Sequence, residues 1–265
     1  MIYAGCDVGS LTAKAVIMQD GKIVGTSLIK AKASPEESSE EVMNLALKDA
    51  GLKLNDVTYT ITTGYGKDQI PFADSSKSEI ACHARGAWWS QPSTRTVIDI
   101  GGQDAKAIRV DNIGNVVNYR YNDKCATGTG RFLEVMAKAL ELELDEMGSV
   151  GEKSTKKLHL SNQCVILAET EVVSLINEGE AVADIVQGLN RSLTGRVAAL
   201  AKSIGTEDEV VFTGGVAKNS GVFQALEKAL KCKLVPINGY DPQLNGALGA
   251  ALLAQEAFGN GNNAA

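Results

Sequence analysis

Residues 7–17 of the chain, Asp-Val-Gly-Ser-Leu-Thr-Ala-Lys-Ala-Val-Ile, return in altered form as residues 99–109, Asp-Ile-Gly-Gly-Gln-Asp-Ala-Lys-Ala-Ile-Arg. The two stretches align without a gap and share the Asp, Gly, Ala, Lys and Ala positions. A turn signal and a further strand-like run follow each copy, at Asp20-Gly21 in the first and at residues 111–115 in the second. Each copy is therefore predicted to form strand, glycine-rich loop, strand, turn and strand. The repeat distance is too long for a solenoid unit, so it predicts two homologous lobes.

Segments with helical periodicity separate and follow these strands, which predicts an α/β fold. One helix is predicted to begin at Pro35, because proline followed by acidic residues is typical of a first helical turn. Further helices are predicted over residues 78–89, 130–142, 165–176, 181–204, 222–230 and 244–257, and buried strands over residues 96–100 and 210–212. The tail, residues 259–265, is rich in Gly and Asn, and we expect it to be frayed.

The composition excludes several classes of protein. The chain has 265 residues and a net charge of −6, from 26 Lys and Arg against 32 Asp and Glu. That charge argues against a general binder of nucleic acid or of anionic membranes, and no apolar run is long enough to span a bilayer. The first residues lack the basic start of a signal peptide, so we expect a soluble cytoplasmic protein.

The cysteines do not indicate a disulfide framework. There are five, they are scattered through the chain, and they include no C-x-x-C pair. Cys82 and His83 are adjacent on a predicted helix and so point in different directions, which favours core packing over a shared metal ion.

Glycine-rich loops indicate phosphate binding, although no Walker sequence is present. Gly9-Ser10 in the first copy and Gly101-Gly102 in the second would let backbone N–H groups approach an anion closely. Ser10, Thr12 and Lys14 can add donors and one positive charge. Both loops are therefore candidates for contact with the phosphates of a nucleotide.

Asp7 and Asp99 end the strands that lead into these loops. Two carboxylates beside phosphate-binding amides would repel the phosphate unless a cation lies between them, which predicts Mg²⁺ held largely through water molecules. For either loop alone the alternative is a tight hairpin with a solvated acid. A third loop, residues 212–219 with the sequence Phe-Thr-Gly-Gly-Val-Ala-Lys-Asn, favours nucleotide binding over that alternative.

These motifs resemble those of the actin–sugar kinase–heat-shock ATPase superfamily. Residues 7–14 resemble its first phosphate motif, residues 99–104 its second, residues 212–219 its adenosine motif, and residues 245–250 its small-residue connecting helix. The resemblance implies two ribonuclease-H-like lobes, the actin-like ATPase fold, around a cleft that binds ATP or ADP. We expect residues 1–93 with 246–265 to form the first lobe and residues 94–245 to form the second.

The resemblance also implies which residues contact the nucleotide. Gln103 or Asp104 would orient the attacking water, by their place in the second phosphate motif, and Asp7 and Asp99 would hold Mg²⁺ through water. The implied nucleotide contacts are Asp7, Gly9, Ser10, Leu11, Thr12, Ala13, Lys14, Gly101, Gly102, Gln103, Gly214, Gly215, Lys218, Asn219 and Gln243.

Cys125 and Cys164 each stand just before a predicted helix. A helix N-terminus favours the thiolate, and thiolate is the form of cysteine that binds iron. Two ligands do not complete a 4Fe-4S cubane, whereas a two-fold dimer would supply four. The alternative is two buried, inert cysteines.

The sequences around these cysteines resemble the activator ATPases of 2-hydroxyacyl-CoA dehydratases and the ATP-binding subunits of ATP-dependent benzoyl-CoA reductases. The resemblance covers essentially the whole chain and is carried by residues 63–66, 81–84, 98–106, 122–132, 164–171 and 245–250. Thr127 stands where that family often has alanine, and residues 161–167 also depart from the family's usual run.

The family resemblance implies a homodimer, or a pseudo-symmetric heterodimer, bridged by one 4Fe-4S cluster on Cys125 and Cys164 of each chain. It implies that ATP hydrolysis drives a low-potential electron to a partner iron–sulfur dehydratase or reductase, with ferredoxin or flavodoxin as the donor. A benzoyl-CoA reductase subunit and an activator of a double-cubane cluster protein are alternatives within the family. A small-molecule kinase with Asp104 as base and a non-catalytic, actin-like assembly module are alternatives of other classes.

Overall fold

The structure is a computed structural model that describes residues 1–160, 164–207 and 209–262, the last three of these by their backbone only. The chain divides into two compact units. The first comprises Met1–Thr94, Val110–Val117 and Ile237–Ala265, and the second comprises Arg95–Arg109 and Asn118–Pro236. No helix among the described residues has both the length and the apolar character that crossing a membrane requires.

The described residues form ten strands and eight α-helices, joined by loops and short 3-10 turns. The strands are β1 Ile2–Val8, β2 Thr12–Gln19, β3 Lys22–Lys30, β4 Tyr59–Thr63, β5 Ser75–Ser76, β6 Thr96–Ile100, β7 Ala105–Val110, β8 Val116–Asn122, β9 Val210–Thr213 and β10 Leu234–Pro236. The helices are α1 Pro35–Ala50, α2 Glu79–Ser90, α3 Gly130–Ala139, α4 Glu146–Gly151, α5 Val165–Asn177, α6 Val182–Ser203, α7 Ser220–Leu230 and α8 Asn245–Asn262.

The sequence repeat is a structural repeat. The strand orders are β3-β2-β1-β4-β5 in one sheet and β10-β9-β6-β7-β8 in the other. In each sheet the first strand of the repeat pairs antiparallel with the next strand and parallel with a later one, so that Asp7 faces Lys14 and Asp99 faces Lys106. The predicted α/β fold of two ribonuclease-H-like, actin-like units is therefore confirmed.

Helices cover both faces of the first unit's sheet. Val42 and Met43 of α1 pack with Cys6 and Ile17 on one face. Leu248 and its neighbours on α8 pack with Val16 and Met18 of β2 on the opposite face. Burial on both faces explains why β2 is a nearly continuous apolar run rather than an alternating one.

Helix α8 approaches its neighbours so closely that its small residues are required. A Cβ placed on Gly249 would lie 1.7 Å from the carbonyl oxygen of Cys82 in α2, so a larger residue cannot be accommodated without moving backbone. The helix also runs five residues beyond the predicted end at 257, through part of the tail expected to be frayed. The aromatic ring of Phe258 packs against Tyr3 and Tyr59, at centroid distances of 6.2 and 6.3 Å, and this contact stabilises the extension.

Replacing Gly249 by alanine should destabilise the protein by about 3 kcal/mol or more, because the new methyl group overlaps backbone. Gly259→Ala is the matched control in the same helix, since nothing lies within 4 Å of a Cβ there. That control should be neutral or stabilising by up to about 1 kcal/mol, because alanine is the better helix former. Denaturant unfolding of both variants measures the difference, and equal stabilities would contradict the close packing of α8.

Candidate functional site

The first glycine-rich loop joins β1 to β2 and holds a buried ion pair. Asp7 is 3% exposed, and the Lys14 ammonium lies 3.1 Å from its Oδ2 atom. The Gly9 N–H donates to the carbonyl oxygen of Thr12 at 3.0 Å, which closes the loop and commits that amide to the turn. Among the described residues, Asp7 Oδ1 is buried without a hydrogen-bond partner. A buried carboxylate oxygen in this condition is suited to a cation or an ordered water.

The second loop, between β6 and β7, repeats this geometry with one more acid. The Lys106 ammonium lies 3.4 Å from Asp99 Oδ2 and 2.6 Å from Asp104 Oδ2, and all three side chains are buried. The Gly101 N–H donates to the Asp104 carbonyl oxygen at 2.9 Å, as Gly9 does in the first loop. Two carboxylates share one ammonium here, so the second loop is more acidic than the first.

The alternative of hairpins with solvated acids is wrong, because Asp7 and Asp99 are both buried. The side chain of Gln103 is exposed, whereas that of Asp104 is held by Lys106. Lys106 was not among the predicted site residues, although the repeat contained the signal: it aligns with Lys14.

The third predicted loop meets the second one within the second unit. Gly214 follows β9 with φ of +86°, and a Cβ there would lie 2.4 Å from the carbonyl oxygen of Ile100 and 2.8 Å from Asp99 Oδ1. Gly64 has the same place in the first unit, with φ of +91° and a contact of 2.4 Å to the Val8 carbonyl oxygen. Only glycine tolerates both this backbone conformation and this approach.

The other predicted nucleotide residues lie at helix and turn starts. Asn219 caps α7, since its Oδ1 atom accepts a hydrogen bond from the Val222 N–H at 3.0 Å. Gly215 and Lys218 begin and end a 3-10 turn that precedes this cap, and the Lys218 side chain is exposed. Gln243 lies in a 3-10 turn of the first unit, where its N–H donates to Asp241 Oδ1. Of the remaining predicted contacts, Ser10, Leu11 and Gly102 are in the two hairpin loops, and Thr12 and Ala13 begin β2.

A polar network that the sequence did not predict lies beside Asp7. The Asn245 side-chain amide contacts His83 Nδ1 at 3.2 Å and donates to the His83 carbonyl oxygen at 3.0 Å, while the Tyr240 hydroxyl donates to Asn245 Oδ1 at 3.0 Å. Asp7 Oδ2 and His83 Nε2 both lie within 3.1 Å of the position that a Cβ on Gly246 would take. His83 is buried, in agreement with the predicted core packing, and it also lies near the buried carboxylate of Asp7.

The cysteines differ sharply in their surroundings. Burial raises the pKa of Cys82 to about 12 and also raises the pKa of Cys6. The pKa of Cys125 is instead lowered, first by a hydrogen bond from the Thr127 side chain, then by the Thr127 backbone and by the positive charge of Arg196. Cys125 is therefore the cysteine of this set whose thiolate the protein favours.

Cys125 and Cys164 stand at helix starts, as predicted. Cys125 precedes a 3-10 turn, Ala126–Gly128, which leads into α3, and Asn122 hydrogen-bonds both its backbone N–H and its carbonyl oxygen. Cys164 immediately precedes α5 and is exposed, so the alternative of two buried, inert cysteines is wrong. Residues 161–163 of the second cysteine motif lie outside the described residues. No group of three or more His, Cys, Asp and Glu side chains in the described part of one chain could hold a metal ion.

A buried aspartate anchors the segment that leads towards Cys164. Asp184, in the first turn of α6, accepts hydrogen bonds at its Oδ1 atom from the Ser154 hydroxyl at 2.8 Å and from the backbone N–H groups of Thr155 and Lys156 at 2.7 and 2.8 Å. These bonds hold the pKa of Asp184 below its usual value, the Lys156 amide having the largest effect.

Two ribonuclease-H-like units with paired acidic loops have the fold of the actin-like ATPases. The chain belongs to the BadF/BadG/BcrA/BcrD ATPase family, whose profile matches residues 4–254. The membership agrees with the resemblance seen in the sequence motifs.

Similar proteins within this family have assigned roles. The chain is 45% identical over 257 residues to the activator of lactoyl-CoA dehydratase of Anaerotignum propionicum, covering 97% of this chain and 98% of that protein. It is 46% identical over 257 residues to the (R)-2-hydroxyglutaryl-CoA dehydratase activating ATPase of Acidaminococcus fermentans, covering 94% and 95%. The solved activator of the 2-hydroxyisocaproyl-CoA dehydratase from Clostridium difficile, with bound ADPNP, superposes with a TM-score of 0.94 at 40% identity and covers 100% of this chain and 98% of its own.

Replacing Asp184 by asparagine should destabilise the protein at neutral pH, because the shape is kept but the charge that strengthens three hydrogen bonds is lost. The folded pKa of Asp184 is lowered, so its contribution is complete above the ordinary value of 3.8 and is lost as the pH falls through the folded pKa. The stability difference between wild type and variant should therefore shrink below about pH 4.

Denaturant unfolding at several pH values measures this difference. Asp145→Asn is the control, since Asp145 is exposed and its side chain caps no helix. A deficit in Asp184→Asn that stays constant down to the lowest pH would contradict the role of the charge.

Proposed function

We propose that this protein is an ATP-hydrolysing iron–sulfur activator that delivers a low-potential electron to a partner iron–sulfur enzyme of the 2-hydroxyacyl-CoA dehydratase type. The observation that carries the proposal is the contrast among the cysteines: Cys125 and Cys164 are accessible at helix starts, Cys6 and Cys82 are buried, and the partly exposed Cys232 follows the end of α7. The similar proteins named as dehydratase activators support the same choice.

The nucleotide part of the proposal rests on the paired acidic loops. The buried, unpartnered Oδ1 atom of Asp7 fits a Mg²⁺ ion held through water, and Asp99 is the corresponding acid of the second unit. When bound, Mg²⁺ would neutralise charge on the β- and γ-phosphates of ATP. Ser10, Thr12 and the residues next to them would bind phosphate. The solved structure of a similar protein with bound ADPNP supports a nucleotide site in this fold.

Residues of the two loops would have different roles in ATP hydrolysis. Lys14 and Lys106 compensate the buried acids and fix their orientation. Gln103 would orient the attacking water, because its side chain is exposed at the second loop while Asp104 is occupied by Lys106. Asp104 Oδ2 is occupied by the Lys106 ammonium at 2.6 Å, which argues against Asp104 as the base of the kinase alternative.

The cluster part of the proposal rests on the donor chemistry of Cys125 and Cys164. Both are cysteines with access to solvent, and the lowered pKa of Cys125 favours the thiolate that iron requires. One chain supplies two thiolates, so a homodimer, or a pseudo-symmetric heterodimer, would hold one 4Fe-4S cluster. When bound, that cluster would accept one electron at a time from a small carrier such as ferredoxin or flavodoxin.

The partner in this proposal is an acyl-CoA dehydratase, since the similar proteins named above activate enzymes of that kind. A benzoyl-CoA reductase polypeptide of Thauera aromatica, 36% identical to this chain, keeps a reductase as the alternative partner. We place the protein in the cytoplasm, with its partner enzyme and electron carrier.

Replacing Asp7 by asparagine should lower ATP hydrolysis by about 100-fold or more, because loss of a carboxylate that organises the metal removes several kcal/mol of transition-state stabilisation. Phosphate release under anaerobic conditions measures the loss. Asp20→Asn is the control, since Asp20 is an exposed acid in a hairpin turn of the same unit. Near-normal turnover in Asp7→Asn would remove Asp7 from the nucleotide site.

Replacing Cys125 or Cys164 by serine should abolish bound iron, because each change removes two of the four ligands of a dimer. Anaerobically reconstituted wild-type protein should hold about four irons per dimer. Cys6→Ser, Cys82→Ser and Cys232→Ser are the controls, and they should retain the iron because the first two thiols are buried and Cys232 does not stand at a helix start.

Iron and sulfide assays combined with sizing decide this prediction. Iron loss should also loosen the dimer, because the cluster bridges the subunits. Full iron content in the Cys125→Ser, Cys164→Ser double variant would show that these cysteines do not hold the iron, and it would overturn the proposed bridging cluster.

A further inference from the structure

Two hydrogen-bonding groups from separate elements converge on the sulfur of Cys125, and both donate once that sulfur is a thiolate. The Thr127 hydroxyl lies 3.0 Å from Cys125 Sγ, and the Arg196 guanidinium donates to it through Nη1 at 3.5 Å. Thr127 belongs to the 3-10 turn that follows the cysteine, whereas Arg196 lies on α6, 71 residues further along the chain. The pairing is therefore made by tertiary structure and not by the local turn alone.

Both donors are held in place by packing. Thr127 is fully buried within its turn. Arg196 is flanked on α6 by Leu193 and Val197, which are buried in the core of the second unit, and its stem runs beside Gly128. The segments that carry both groups are therefore fixed by packing before any ligand binds.

Cys164 has different surroundings. It is exposed, and within residues 1–160, 164–207 and 209–262 no side-chain donor to its sulfur is found. Of the two proposed cluster ligands in each chain, Cys125 is therefore the one whose surroundings stabilise negative charge on sulfur.

We propose that Thr127 and Arg196 are positioning residues that raise the reduction potential of the iron–sulfur group bound through Cys125, an inference that rests on the proposed function. Hydrogen bonds and positive charge at a ligand sulfur stabilise the more negative, reduced form of such a group. The step concerned is the gain of one electron from an external donor, with no bond made or broken in the shell. In a dimer the effect acts twice, because each copy brings its own pair of donors.

The physical consequence is a compromise between electron uptake from the carrier and electron transfer to the partner enzyme. Stabilising the reduced form makes it easier for a carrier to transfer an electron to the iron–sulfur group. The reduced group is then a weaker reductant towards the partner enzyme. A donor shell of this kind therefore sets how much of the driving force must come from ATP hydrolysis.

The test measures the midpoint potential of the anaerobically reconstituted dimer by a redox titration followed by electron paramagnetic resonance. Thr127→Val removes the hydroxyl and keeps the shape, and Thr127→Ser restores a hydroxyl. Arg196→Met removes the charge and keeps most of the stem, and Arg196→Lys restores a charge without the planar donor geometry. Lys202→Met is the control, because it removes an exposed cation from the same helix.

We expect Thr127→Val and Arg196→Met to lower the midpoint potential, the double variant to lower it further, and the Ser and Lys variants to lie nearer to the wild type. The Lys202→Met variant should match the wild type. Iron content is measured in every sample, so that potentials are compared only between dimers with equal iron.

The outcomes separate this inference from the proposed function. Wild-type protein that holds no iron would defeat the proposed function itself. Full iron with an unchanged potential in Thr127→Val and Arg196→Met would overturn the role of the donor shell and leave the activator function standing. If Arg196→Met fails to load iron, the comparison of Thr127→Val with the wild type decides, because valine differs from threonine only in a methyl group that replaces the hydroxyl.

Discussion

Burial of an aspartate–lysine pair at the end of a central strand is the constraint on which both units depend. A carboxylate beneath a loop of backbone amides is costly to desolvate, and an ammonium on the adjacent strand offsets that cost. Antiparallel pairing places Lys14 directly opposite Asp7, and the same register places Lys106 opposite Asp99. The hairpin, its glycines and its register are therefore consequences of keeping these charges paired below the surface.

The aspartate–lysine pair has different neighbours in the two units. In the first unit Asp7 keeps one oxygen without a partner, and His83 lies close by, held by Asn245. In the second unit Lys106 is shared between two acids, and Thr213 donates to the remaining oxygen of Asp99. Asp7 is thus left with one oxygen available for a cation, whereas both oxygens of Asp99 contact protein groups. The two copies of the sequence repeat therefore differ in the polar groups that surround their aspartates.

Much of the architecture followed from local patterns. The repeat around Asp7 and Asp99 predicted the strand pairs, and periodicity located the helices to within a few residues in most cases. The end of α8 was placed too early, because Gly259 and the following Asn-rich residues suggested fraying, while a long-range contact of Phe258 stabilises the helix. The solvated hairpin alternative failed for a related reason: a short glycine motif does not reveal that its acid is buried.

The sequence by itself determined the duplication, the acidic loops, the family and the two cysteines at helix starts, because each of these is carried by residues close together in the chain. Only the tertiary structure decided which charges are paired and which sulfur is supported. Arg196 reaches Cys125 across 71 residues because α6 packs beside the turn, and no spacing rule connects the two positions. The pKa of a thiol depends on distances to donors and on burial, and those quantities exist only once the chain has folded.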